Sequence, residues 1–172
     1  KSHTTNTNGP YSPEGTFKPK KTIPKSLSFT AQEGNVINSL KNSNDLSDKI
    51  YNLVFELSKL DFQYHRYSIS FIYRALLESS TKYLSQKQSQ VQFTEKSLEQ
   101  SIVSALNYFG NTYRNNSGLS IKIINTWRDT ITKRKLIDTL NQYIHNELPV
   151  DASFLQETWN TMKGFIMTCL TI

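Results

Sequence analysis

The sequence predicts an all-α fold. Apolar residues recur with the 3.6-residue period of amphipathic helices through most of residues 45–172. No stretch alternates between apolar and polar residues for long, and no hairpin signal appears between apolar runs. A chain of 172 residues, of which 37% are hydrophobic, can bury one core. We therefore expect a single helical domain preceded by a tail.

Residues 1–44 have the composition of a flexible or extended linker. They hold four of the five prolines and three of the six glycines, in a background of Ser, Thr, Asn and Lys. Such a segment buries too little apolar surface to offset its chain entropy. The change in composition predicts a linker at 1–44 and a helical domain at 45–172. The one apolar run of the linker, residues 23–29, could dock on the helices as an extended strand.

The net charge of +6 lies mainly in the predicted linker, where six lysines face two glutamates. The lysine cluster at residues 18–25 is either a solvated part of the linker or a phosphate-binding element. Because the helical part is closer to neutral, its charge alone does not predict nucleic-acid binding.

Cysteine usage and hydropathy predict a cytoplasmic protein. Cys169 is the only cysteine, so no disulfide framework can form. No apolar run approaches the ~20 residues that span a bilayer, and no signal peptide is recognisable, so we expect no membrane partner. The chain begins at Lys1 rather than at methionine, which suggests a fragment attached to an upstream domain of the same polypeptide.

Helical periodicity divides residues 45–172 into six segments. Asn44 or Asp45 can cap the first segment, and Thr94 is a possible cap for the third. The second has a broad apolar face, so we expect it to be the central and most buried helix. The predicted helices cover residues 45–60, 64–87, 94–108, 120–128, 136–146 and 151–172, with a loop at residues 110–120.

A polar pair stands near the end of the predicted 136–146 helix. Asn141 and His145 are four residues apart on a face beside the apolar one, and Pro149 stops the helix just beyond them. Two interpretations are open. The side chains form a structural hydrogen-bonded pair, or they belong to a functional site.

Two sets of charged residues also allow two interpretations each. Arg74 and Glu78 are four residues apart in the longest predicted helix, and they form either an intrahelical pair on the solvent side or a partly buried pair. Lys133, Arg134 and Lys135 are consecutive and lead into the helix that carries Asn141 and His145. This basic run is either a solvated face or a binding surface.

No strong enzymatic motif accompanies these residues. The chain has no phosphate-cradling glycine loop and no nucleophile elbow. His3, His65 and His145 are scattered and Cys169 stands alone, so the ligand spacing of a zinc site is missing. We therefore expect neither a metal nor a cofactor.

Three stretches of the helical part, in this order, resemble the HEPN superfamily, the "higher eukaryotes and prokaryotes nucleotide-binding" domain. They are SKLD at residues 58–61, ISFIYRALLESSTKYL at 69–84 and LNQYIHN at 140–146, followed by Pro149 and Trp159. The likeness covers about residues 23–170. It is greatest to the C-terminal HEPN-like modules of bacterial proteins with an upstream ParB-like or other nuclease-type domain, in defence and DNA-processing contexts.

The resemblance implies an up-and-down bundle of four main helices, with short extra helices, that commonly dimerises. In catalytic members an arginine, with four to six residues between it and a histidine, forms a metal-independent RNA-cleaving site across the dimer. Histidine is then the general acid or base, and arginine stabilises the phosphorane charge. His145 matches the histidine, whereas Asp138, Thr139 and Leu140 stand where the arginine is expected.

This mismatch leads to three hypotheses. The first is a non-catalytic HEPN-like module, the C-terminal part of a larger bacterial nucleic-acid-processing or antiphage-defence protein, that mediates self-association and partner or nucleic-acid binding. The second is a ribonuclease that uses His145 and Asn141, with Arg134 or Arg74 in place of the missing arginine. The third is a basic module that binds RNA or DNA through residues 133–135 and the lysines of the tail.

The last predicted helix has more apolar width than one neighbour should cover. Its apolar residues are Leu155, Trp159, Met162, Phe165, Ile166, Cys169 and Leu170. We therefore predict a two-fold symmetric homodimer, with the two copies of the 136–146 helix near the axis and His145 facing its mate or a shared cleft. In the competing prediction the chain is a monomer, and residues 22–30 cover this surface with Ile23, Leu27 and Phe29.

Overall fold

The computed structural model describes residues 26–112, 119–145 and 147–172. These ranges contain seven α-helices and no strand, which confirms the all-α prediction. The lysine cluster at 18–25, Ile23 and His3 lie outside the described residues. The helices are α1 (Ala31–Ser39), α2 (Asp45–Leu57), α3 (Arg66–Lys87), α4 (Leu98–Thr112), α5 (Ile121–Thr132), α6 (Leu136–Ile144) and α7 (Ala152–Thr171).

All six predicted helices are present, with ends that differ by up to four residues. Asn44 caps α2, because its side-chain oxygen accepts a hydrogen bond from the backbone N–H of Ser47 at 2.9 Å. α4 begins at Leu98 rather than near Thr94, since the hydroxyl of Ser97 accepts from the first turn of the helix. α4 also continues through residues 110–112, which were predicted as loop.

α3 is the central helix of an up-and-down bundle, as the sequence predicts. It packs against α2, α4, α6 and α7, while α5 completes the bundle beside α4 and α7. The buried residues of α3 are Ile69, Ser70, Ile72, Tyr73, Leu76, Leu77, Ser79, Ser80, Thr81, Tyr83 and Leu84. One strip of α3, which includes the exposed Tyr67 and Phe71, stays open between α2 and α6.

The helical part begins earlier than residue 45, within the segment predicted as linker. Thr30 and Glu33 form a capping box at the start of α1, each side chain accepting from the other residue's backbone N–H. Leu27, Ile37 and Leu40 are buried in the core. The sequence does not predict this helix, because only a few apolar side chains in a mostly polar segment pack against the bundle.

Trp159 of α7 holds the segment before α1 against the bundle. The indole packs edge-on against Phe29 and Tyr73, with ring centroids 5.1 Å and 5.3 Å away. Its Nε1 donates a hydrogen bond to the backbone oxygen of Ser28 at 3.3 Å. Residues 27–29 therefore cover part of α7, which is the arrangement that the competing monomer prediction describes.

We predict that Leu27→Ala lowers the free energy of unfolding by about 2–5 kcal/mol, because Leu27 is only 1% exposed and its truncation leaves a cavity. Urea unfolding followed by circular dichroism measures the change. Leu148→Ala is the matched control, since Leu148 is 43% exposed, and it should change the free energy by less than about 0.5 kcal/mol. Equal effects of the two substitutions would show that residues 26–30 are not part of the fold.

A second contact joins α1 to α7 through Glu33. Its Oε2 accepts from the backbone N–H of Thr30 at 2.6 Å and from Nζ of Lys163 at 2.9 Å. Burial by itself raises the pKa of Glu33, but the hydrogen bonds from Thr30 and Lys163 together outweigh burial and lower the pKa below its ordinary value of 4.5.

We predict that Glu33→Gln costs about 1 kcal/mol of unfolding free energy at neutral pH. Because the folded state lowers the pKa of Glu33, its stabilising contribution is present above pH 4.5 and is lost as the pH falls through the folded-state pKa. Urea unfolding at several pH values should show the variant and the wild type converging in acid. The exposed Glu147→Gln is the control; an undiminished difference for Glu33→Gln at about pH 3 would contradict the prediction.

Candidate functional site

A hydrogen-bonded cluster joins α3 to α6. Nε of Arg74 donates to Oδ1 of Asn141 at 2.7 Å, and Nη1 of Arg74 donates to Oε2 of Glu78 at 2.9 Å. The side chains of Arg74 and Glu78 are 31% and 39% exposed, so the ion pair is partly buried, one of the two arrangements left open by the sequence. We refer to Arg74, Glu78 and Asn141 as the Arg74 cluster.

α3 and α6 pack antiparallel, and this orientation brings the residues of the Arg74 cluster together. Ile144, at the C-terminal end of α6, lines a groove with Tyr67 and Phe71 from the first turns of α3. Ile137, at the start of α6, lies beside the Arg74 cluster, further along α3. Asn141 consequently faces Arg74, although 67 residues separate the two in sequence.

The Arg74 cluster forms one wall of a cleft of about 230 Å³ between α3, α6 and the start of α4. Carboxylates outnumber basic groups along the cleft. Its charged lining residues are Arg74 and Lys96 against Glu78, Glu95, Glu99 and Asp138. This excess of negative charge opposes the binding of a phosphate group.

His145 lies at the end of α6, one turn beyond Asn141, and its side chain is exposed. Its backbone N–H donates to the backbone oxygen of Asn141 at 3.0 Å. The side-chain oxygen of Asn141 accepts from Arg74. The side-chain oxygen of Asn141 is thus bound to α3, and Asn141 bridges the two helices.

The basic run lies in the turn between α5 and α6, where carboxylates accompany it. Nζ of Lys133 is 2.9 Å from Oδ2 of Asp129, and Nη2 of Arg134 is 3.3 Å from Oε2 of Glu157. All four side chains are substantially exposed, so each pair contributes little to stability. The pairs nevertheless reduce the positive potential that a nucleic acid would meet.

Helix α6 separates the basic run from His145. Lys135 precedes the helix with a left-handed backbone conformation (φ 54°, ψ 41°), and His145 follows the last residue of the helix. Nine helical residues place the two ends about 14 Å apart. Within one chain, therefore, Arg74 lies much closer to the His145 end of α6 than Arg134 does.

An exposed apolar surface that the sequence does not single out includes Ile144, the residue before His145. Tyr67 and Phe71 are 49% and 57% exposed, and they line a groove of about 420 Å³ together with Leu53 of α2 and Ile144 of α6. We call these four residues the open face. The available signal was that Tyr67 and Phe71 lie off the buried stripe of α3, one helical turn apart.

The remaining chemical features of the described ranges are few. No helix in them is long and apolar enough to cross a bilayer. No group of three or more His, Cys, Asp or Glu residues in the same ranges is placed to hold a metal ion. Cys169 is buried, and burial raises the pKa of its thiol well above the ordinary value, which keeps it protonated.

Comparison of the chain with protein-family models, with curated proteins and with solved structures finds no match. The resemblance to the HEPN superfamily therefore rests on the residues quoted from the sequence alone.

Proposed function

We propose that this chain is a non-catalytic, HEPN-like helical module of a larger bacterial nucleic-acid-processing or antiphage-defence protein, and that it acts through self-association and the binding of a partner. The observation that carries this proposal is the pairing of Arg74. Arg74 is the better placed of the two arginines that could replace the one missing before His145. Its guanidinium is bound to Asn141 and Glu78.

A ribonuclease of the HEPN type needs an arginine that can meet the developing charge on a phosphate. The Glu78 carboxylate already occupies Nη1 of Arg74, and Asp138 adds a negative charge to the same cleft. Arg134 is at the far end of α6 and is paired with Glu157. These contacts favour a structural role for both arginines over a catalytic one.

The third hypothesis, a basic module that binds RNA or DNA, has less support. Two of the three basic side chains in the run at 133–135 lie against carboxylates of the same chain. A phosphate backbone would have to compete with these partners for each cation.

Self-association is supported by the open face. α7, whose apolar width led to the dimer prediction, packs against α3, α5 and α1, and residues 27–29 cover part of it. An exposed apolar surface lies instead between α2, α3 and α6, and Ile144, the residue before His145, lines it. Burying large exposed aromatic side chains of this kind is what stabilises the centre of protein interfaces.

We predict that the purified protein does not cleave RNA and that its expression does not arrest growth. His145→Ala should leave both results unchanged, because Arg74 and Arg134, the two arginines considered for the site, are each bound to carboxylate or amide partners in the described ranges. His65→Ala is a matched control, since His65 is also exposed at a helix end. Growth arrest or RNA cleavage by the wild type that His145→Ala abolishes and His65→Ala preserves would establish the ribonuclease hypothesis instead.

A further inference from the structure

We propose that a groove between the start of α2 and the second half of α3 binds the phosphate group of a small phosphorylated organic molecule. The groove has a volume of about 600 Å³, and Glu78 is the one lining residue that it shares with the cleft beside Asn141. We call it the α2–α3 groove. The inference goes beyond the proposed function and does not depend on self-association.

One wall of the α2–α3 groove contains a buried hydroxyl without a hydrogen-bond partner. Ser79 lines the groove and is only 1% exposed, and its Oγ has no partner within the described ranges. The next two hydroxyls of α3 differ, because Ser80 and Thr81 both donate to the backbone oxygen of Leu77. An unpaired buried hydroxyl destabilises a protein, so Ser79 is placed to meet a group that the chain itself does not supply.

The first turn of α2 supplies further donors to the same groove. Asp45 and Leu46 line it, and they are the first two residues of this 13-residue helix. Their N–H groups precede the first backbone hydrogen bond of α2, from Asp48 to Asn44 at 2.9 Å, so they have no acceptor within the helix. The helix dipole adds a partial positive charge at this end. Together these features favour an anion as the ligand.

Two lysines bring positive charge to the two walls of the groove. Lys49 of α2 is exposed, Lys82 of α3 is half-buried, and both line the groove. Nζ of Lys82 is 3.8 Å from Oε1 of Glu95, whose side chain is 86% exposed. An ion pair this exposed contributes little, so a phosphate in the groove can replace it. Lysine ammonium groups are common ligands of phosphate.

The two carboxylates of the groove do not cancel this positive charge. Oε2 of Glu78 is 2.9 Å from Nη1 of Arg74, and this ion pair balances the charge of Glu78. Asp45 then remains against the two lysines, and it is exposed to solvent, which screens its charge. The α2–α3 groove thus differs from the cleft beside Asn141, where carboxylates are in excess.

The size of the groove indicates an organic molecule rather than a free phosphate ion. A volume of about 600 Å³ is in the range of small-molecule sites, ~300–1,000 Å³. Beyond the lysines, Leu46 contributes apolar surface and Gln86 contributes an amide that can donate and accept hydrogen bonds. A phosphate monoester of a small organic molecule matches both the charged and the apolar parts of this lining.

The test is calorimetric titration of the full chain with phenyl phosphate and, separately, with inorganic phosphate. We expect phenyl phosphate to bind at least about threefold more tightly, because its ring can bury apolar surface against the groove. Lys82→Met should weaken the binding of phenyl phosphate roughly tenfold, the loss expected for a charge-assisted hydrogen bond. Asp45→Asn should strengthen it, since the substitution removes a charge of the same sign as the ligand.

Ser79→Ala separates a role in binding from a role in folding. The substitution removes an unpaired buried hydroxyl, so thermal unfolding by circular dichroism should show an unchanged or higher melting temperature. The affinity for phenyl phosphate should nevertheless fall by about threefold or more. A hydroxyl that only packs in the bundle would leave this affinity unchanged, and that result would overturn the inference.

Lys122→Met is the matched control for the loss of a lysine. Lys122 is exposed on α5, a helix that packs against α4, α6 and α7, and its substitution should leave the affinity unchanged. Equal losses for Lys122→Met and Lys82→Met would indicate general attraction of anions to a basic protein and would remove the site. Equal affinities for inorganic phosphate and phenyl phosphate, or no binding of either at roughly 10 mM, would also contradict the inference.

Discussion

The packing of Trp159 between Phe29 and Tyr73 is the contact on which the arrangement of this chain depends. It joins three parts of the sequence, the segment before α1, the central helix α3 and the last helix α7. The indole N–H fixes the backbone of Ser28 as well. With Trp159 only 1% exposed, the apolar width of α7 is covered within one chain.

Because α7 is covered within the chain, its apolar side chains are not available for contact with a partner. If α7 were bare, its apolar side chains would be the natural dimer contact. Because the segment before α1 and the helices α3 and α5 lie against it, we turn to the exposed aromatic side chains of Tyr67 and Phe71, in the groove between α2, α3 and α6. The Arg74 cluster begins about one turn further along α3, so charged side chains border the open face at this end.

Helical periodicity sufficed to predict six helices, because each has a long apolar stripe whose spacing is a local property of the sequence. The sequence does not predict α1, because this helix lacks a long apolar stripe. Its anchors, Ile37 and the flanking Leu27 and Leu40, are few, and their burial depends on α2 and α7 rather than on local pattern. The competing monomer prediction named Phe29 as a side chain that covers the last helix, but its position opposite Trp159 is a contact across 130 residues that no window of sequence contains.

The sequence indicates which residues belong to the candidate site, but not which residues each of them contacts. Arg74, Glu78 and Asn141 were all selected from the sequence, and the i, i+4 spacing correctly indicated the first pair. The bond from Arg74 to Asn141 was not predictable, since it requires the register of α6 against α3. The periodicity places Phe71 off the buried stripe of α3, but it does not show that α2 and α6 leave the side chain uncovered, since that depends on how these helices pack on α3.

Hydroxyl-radical footprinting of aromatic side chains, read by mass spectrometry at low and high protein concentration, tests most directly which surface is free in the single chain. Trp159 should be unreactive at both concentrations, whereas Tyr67 and Phe71 should be oxidised in dilute protein and protected at high concentration. Oxidation of Trp159 in dilute protein that disappears on concentration, with Tyr67 and Phe71 unchanged, would contradict this and would make α7 the interface.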